Sequence, residues 1–144
     1  MSPRARLTLL RLAGVSLLVL GALHLAVTPF IVRFIRLSAA PDAVEWLVPP
    51  MVLNHVVLGV LLLPLGGLTF YSARPASEGT AWALTVSRAV ALTVATLPPI
   101  LLALMGRRYF TAKPFLLATA IACLASLTLL LAAFWPAPAR PAVG

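Results

Sequence analysis

The chain has 144 residues and a net charge of +8, with 62% hydrophobic and only 10% charged residues. Its mean hydropathy is +1.07. Soluble domains carry about a quarter charged residues, so this composition is too poor in polar side chains to cover a water-facing exterior. A basic excess of this size in a soluble protein would suggest nucleic acid. Here most of the 11 Lys and Arg residues stand at or near the ends of apolar runs, and no basic patch interleaved with aromatics exists to read bases, so no nucleic-acid partner is expected.

The apolar residues fall in four runs, at about 7–32, 47–71, 81–105 and 115–135. Each is near or above the roughly 20 residues that cross a hydrocarbon core of about 30 Å. Backbone groups in lipid have no water to bond, so such runs are expected as helices. The short alternating segments of a β-barrel are absent. The fold class expected is therefore an all-α integral membrane protein, one domain built as an antiparallel bundle of four transmembrane helices, with a short interfacial turn between the first two. Four spans place both termini on one side. The basic residues divide almost evenly between the two sides, and the usual dominance of the first helix places the termini in the cytoplasm. The bias to Arg over Lys, with abundant Ala, Leu, Gly and Pro, suggests a GC-rich bacterial gene and hence the bacterial inner membrane.

Residues 1–6 form a short basic tail. The run at 7–32 has a rival reading as a signal peptide, since Arg4 and Arg6 precede it and Ser38-Ala39-Ala40 resembles a cleavage site. Signal cores are about 7–15 residues long. This run is about twice that and leads into Arg33 and Arg36, so it reads as a retained span. On it Gly14, Gly21, His24 and Thr28 share one helical face, and small residues on a face let a second helix approach closely. Pro29 is expected to end or kink the helix.

Residues 33–48 read as the longest loop. Asp42 and Glu45, just after Pro41, have the spacing of an acidic capping box, and Trp46 suits the aromatic belt. A single interfacial helical turn and an irregular loop both fit. Pro49-Pro50 reads as the start of the second helix, on which His55, Gly59 and Gly66 share a face and Pro64 is expected to kink. Residues 71–80 read as a polar turn. In the third run Arg88 lies about two turns in, where it can snorkel to the near interface. The Pro98-Pro99 pair is expected to break or bend this helix and free carbonyls for a neighbour to satisfy. Residues 106–113 read as a tight basic loop containing Arg107, Arg108 and Lys113. In the fourth run Thr119, Cys123 and Ser126 form a weakly polar stripe, and 136–144 is a Pro/Ala tail expected to be disordered. A single cysteine excludes an internal disulfide. LTLLRLAGVSLL from Leu7 and LTVSRAVALTVA from Leu84 share an Arg four residues after the Leu, a faint echo in which neither histidine is repeated.

The only constellation with chemistry in it is His24 and His55. Counted from their helix ends, both lie roughly 10 Å below the same membrane face, each on its helix's glycine stripe. Polar groups inside a membrane usually face the bundle interior. Two neutral imidazoles from facing helices could ligate a haem b iron axially, with Gly21 and Gly59 leaving room for the macrocycle. Arg33, Arg36, Arg107, Arg108 and Lys113 would lie on the same side, to pair with propionates or lipid head groups. That plan resembles membrane b-type cytochromes in outline only. A copper or zinc site would need a third or fourth ligand. The plainer alternative is that His24, His55 and Asn54 hydrogen-bond across helices, each contact worth about 0.6–2 kcal/mol.

Asp42, Glu45 and Glu78 are the only acidic residues and all fall in expected loops, so no buried carboxylate pair is available for acid/base work. Nucleophile-elbow, phosphate-loop and Cys-x-x-Cys motifs are missing. An ion-coupled transporter would be expected to bury an acid within clear repeats. What remains is a non-enzymatic accessory or packing subunit of a larger membrane assembly, with an energy-converting (respiratory or photosynthetic) complex as the candidate. The alternative is a bis-histidine haem or other tetrapyrrole electron carrier built on His24 and His55.

Overall fold

Proline and serine placement sets the helix ends. The computed structural model describes residues 1–104 and 113–136, and within them all regular structure is helical. Helix α1 (Pro3–Ser38) starts at Ser2, whose hydroxyl accepts the Ala5 N–H at 3.2 Å. Pro3 fills a first-turn position where no N–H is needed. It stops because Pro41 follows: the residue before a proline is pushed out of the helical region, and Ala39 and Ala40 are both extended, with ψ of 155° and 146°. Helix α2 (Pro41–Ser77) begins at once.

The expected loop over 33–48 is therefore replaced by a break of two residues. Arg33 and Arg36 are tolerant of helix, and the only strong breaker in that stretch acts on Ala40. Asp42 sits inside the first turn of α2, where its charge suits the helix dipole, and the N-cap is Ala40, with no side-chain bond. The Asp42–Glu45 box thus does not cap. Pro49 and Pro50 lie within α2, not at its start, and residues 71–77 continue the helix through Pro75. The turn expected at 71–80 shrinks to Glu78–Thr80. It closes as a Schellman motif: Thr80 N–H donates to the Pro75 carbonyl at 2.9 Å and Gly79 N–H to that of Ala76 at 3.1 Å. Gly79 has φ +86°, a conformation only glycine adopts cheaply.

Helices α3 (Ala81–Ala95) and α4 (Leu97–Leu104) are one apolar stretch interrupted at Thr96. This is the break expected from Pro98-Pro99. Pro98 has no N–H to offer the Val94 carbonyl. Ser126 of helix α5 (Lys113–Phe134) brings its hydroxyl to 3.2 Å from that oxygen, while also reaching the Ala122 carbonyl of its own helix at 2.7 Å. The expected basic loop with Arg107 and Arg108, and the tail from 137 on, lie outside the described residues.

Four helical stretches are long and apolar enough to cross a membrane: Pro3–Ser38, Pro41–Ser77, Ala81–Leu104 and Leu116–Phe134. They close a ring, with α1 on α2, α2 on α3, α3 on α5 and α5 on α1, and α4 packs on α5 and α3. The core of the ring is made of small residues. Ala73, Ala76, Ala83, Ala91 and Ala132 are fully buried among Leu10, Leu17, Val94 and Leu129, with Ser72 and Ser87 inside too. Small side chains let backbones approach closely, the main source of attraction between apolar helices in lipid.

The seam between α1 and α2 shows how close. A Cβ built on Gly66 would stand 2.8 Å from the Gly14 carbonyl oxygen, and one on Gly21 would stand 2.9 Å from that of Gly59. Gly14 faces Gly66 and Gly21 faces Gly59, so positions along α1 rise as those along α2 fall. Burial in this hairpin is one-sided. From residue 22 of α1 to residue 58 of α2, Ile35 alone is buried, and α4 buries nothing. The ring is packed at the end that holds Arg6, Ser77 and Trp135, and the outer half of α1 and α2 stands without cover from the other described helices.

Candidate functional site

His24 and His55 meet in that outer half. Their ring centroids are 5.2 Å apart and the planes are tilted by 36°. The sequence places them together because each lies one turn along its helix from a glycine of the seam: His24 follows Gly21, and His55 precedes Gly59. Once Gly21 and Gly59 touch, the rings have no alternative but to face each other. His24 is held by its own helix, Nδ1–H donating to the Leu20 carbonyl at 2.9 Å. A carbonyl can only accept, so Nδ1 carries the proton and Nε2 keeps its lone pair. Thr28, one turn on, donates its hydroxyl to the His24 carbonyl at 2.8 Å. His55 Nδ1 is buried and has no partner, a deficit of about 1–3 kcal/mol for a neutral polar atom.

The residues present do not fit a haem between the rings. An axially ligated macrocycle is a rigid plate, and the helices on either side of it must stand apart along its whole width. Here the backbones touch at Gly21 and Gly59, about one turn or 5.4 Å from the rings. The glycines expected to leave room for the macrocycle are filled by the opposite helix instead. Nor is there a metal cluster: among the described residues no third His, Cys, Asp or Glu joins the pair. Cys123 is half-buried on α5.

Of the other sequence-expected residues, Arg107 and Arg108 lie outside the described residues, and Arg33 and Arg36 do not gather around the rings. Arg33 and Arg36 are exposed and make no polar contact among the described residues. They lie roughly 14 and 18 Å along the helix from His24, at the tip of the hairpin. Asn54, adjacent to His55, is exposed and makes no hydrogen bond among the described residues, so it points out of the α1–α2 pair and does not bridge it.

The sequence reading missed a second polar cluster at the opposite end. Arg6 is 4% exposed, and its guanidinium donates to the Trp135 carbonyl. Arg88, from α3, donates through Nε–H to the Ala133 carbonyl at 3.3 Å and lies over the Phe134 ring at 5.7 Å. The signal was in the helical phase. Arg6, Leu10, Ala13 and Leu17 step by 4, 3 and 4, which puts Arg6 on the core face of α1, not in a solvated tail.

No protein-family model matches the sequence, and neither a curated protein nor a solved structure shows a significant match to it, so the chain's chemistry rests on its own geometry.

Proposed function

We propose that the chain is a multi-pass protein of the bacterial inner membrane, an antiparallel four-helix bundle with cytoplasmic termini. In this reading it is a non-enzymatic accessory subunit that packs sideways against another membrane protein through the outer half of α1 and α2. One observation carries the proposal. Asn54, a carboxamide with no hydrogen bond among the described residues, is exposed on a helix whose neighbouring exposed positions are Leu53, Val56, Val57 and Val60. An amide facing lipid is costly, and polar side chains within spans normally turn towards protein. A partner helix that bonds Asn54 would remove that cost and cover the aliphatic face around it.

The test is affinity purification of the tagged chain from native membranes, beside Asn54→Leu. The wild type is expected to retain a stoichiometric membrane partner, and the variant to lose it while keeping its helicity. Subunits of a respiratory or photosynthetic complex are the first class to look for. A wild type that purifies alone, or an Asn54→Leu variant that keeps the same partner, would defeat the proposal.

A further inference from the structure

At the end of the bundle opposite the histidines two guanidinium groups, those of Arg6 and Arg88, point at the end of α5, and the carboxylate there among the described residues, that of Glu78, is exposed and paired with Arg74. Arg6 enters from α1 and Arg88 from α3. They bond carbonyls two residues apart, of Trp135 and Ala133, at the end of α5, so both charges converge on one helical turn. Arg6 is almost wholly enclosed, and its Nε–H is buried without a partner among the described residues. The buried residues towards the ends of α2 and α5 here are small: Ala73, Ala76 and Ser77 on α2, Ala132 and Ala133 on α5.

Among the described residues no free counter-charge stands at this cluster. The chain has 3 acidic residues. Glu78 is already paired with Arg74 at 3.2 Å, and Asp42 and Glu45 lie in the first turns of α2, at the far end of the hairpin. The carbonyls at a helix C-terminus offer partial negative charge, about half an elementary charge in all, against two full positive ones. Burying a cation without a full partner is among the costliest arrangements in a protein. Arg88 is exposed, so the cluster opens to the outside on its side, next to Phe134 and Trp135, each with about half its surface free.

We propose that Arg6 and Arg88 form a binding site for a phosphate anion, supplied by the head group of an anionic phospholipid. Two guanidinium forks match the oxygens of a phosphodiester better than ammonium groups do. Phe134 and Trp135 flank the opening, as aromatic residues commonly do at head-group depth. A lipid entering from the Arg88 side supplies the missing charge and leaves its chains along the apolar face of α5. This rests on the membrane reading, which carbonate extraction of the wild type from cell membranes tests separately. It does not depend on the accessory-subunit reading.

The experiment measures the unfolding temperature of the protein purified in a neutral detergent, on adding phosphatidylglycerol, phosphatidylcholine with the same chains, or inorganic phosphate. Phosphatidylglycerol is expected to raise the Tm by several degrees, as a ligand bound only by the folded state does, and phosphatidylcholine to raise it much less. Arg88→Gln is expected to abolish the difference. The surface variants Arg4→Gln and Arg74→Gln are expected to keep it. Arg88 is the informative position because Arg6→Gln disturbs the core. A shift given equally by inorganic phosphate would identify a free anion as the ligand of the same site. Equal response to both lipids without a response to phosphate, a full response in Arg88→Gln, or an equal loss in the Arg4 or Arg74 variant would each overturn the proposal, the last by showing a diffuse charge effect.

Discussion

At the scale of single residues the glycines and histidines share one cause. Gly66 is irreplaceable on geometric grounds: an added methyl meets the Gly14 oxygen and the Leu18 nitrogen, both at 2.8 Å, and both backbone. Neither can give without moving a helix. Gly67, its neighbour, has nothing within 4 Å of the same position. Gly66→Ala is therefore expected to destabilise the bundle by about 1–3 kcal/mol, the usual range for overpacking. Gly67→Ala should be neutral or stabilising by up to about 1 kcal/mol, from helix propensity alone. Denaturation in mixed micelles measures both, and equal losses would show that the seam is not where the structure puts it. The same seam bears on the histidines. Protein expressed with ample haem should give a featureless reduced-minus-oxidised visible spectrum. A sharp b-type α-band, lost in both His24→Ala and His55→Ala, would mean that α1 and α2 separate to admit a macrocycle.

The meeting of His24 and His55 was legible in the sequence because both stand on glycine stripes, and such stripes choose the helix face that meets a neighbour. What the glycines were for was not legible. A stripe of small residues is equally compatible with a cofactor slot and with two backbones in contact, and only coordinates separate the two. Asn54 was grouped with the histidines because it is adjacent in sequence, but one residue is about 100° around a helix. Arg6 was misplaced for the opposite reason: a charge near a chain end looks solvated unless its phase is compared with the leucines that follow.

At the scale of elements, prolines divide into those that break a helix and those that do not. Pro41 ends α1 and starts α2, and Pro98-Pro99 interrupts the third span at Thr96. Pro29, Pro49, Pro50, Pro64 and Pro75 lie within helices that continue through them. Reading Pro29 as an end or kink and Pro49-Pro50 as a helix start, with no breaking role for Pro41, turned the hairpin tip into a loop. Hydropathy added to the error, since Arg33, Arg36, Asp42 and Glu45 mark where the apolar run ends but not where the helix does. The break at Thr96 has a further consequence that can be measured. Because Pro98 leaves the Val94 carbonyl free for Ser126, Ser126→Ala is expected to cost about 0.5–2 kcal/mol. In a Pro98→Ala background, where residue 98 regains an N–H for that carbonyl, the same change should cost less. A double-mutant cycle reports the coupling, and strict additivity would show that Ser126 serves only the Ala122 carbonyl.

At the scale of the whole molecule, the proposed topology places Ser2 and Gly79 on one side and Ala40 on the other. Single cysteines at these positions, in a Cys123→Ser background, should follow that division when intact cells are labelled with an impermeant maleimide. Only Ala40→Cys is expected to react from outside. Labelling of Ser2→Cys and Gly79→Cys instead would invert the orientation, and mixed labelling of Ser2→Cys and Gly79→Cys would contradict the hairpin itself.

The bond from Arg6 to the Trp135 carbonyl joins residues 129 apart in sequence, and this sets an order of events during synthesis. The glycine seam is complete as soon as α2 has left the ribosome, so the first two helices can pair before the rest of the chain exists. Arg6, by contrast, must wait with its charge unanswered until α5 has been made, because its carbonyl partner, that of Trp135, directly follows the last described helix. A ribosome that stalls before α5 thus leaves a hairpin bearing a naked cation on its inner face.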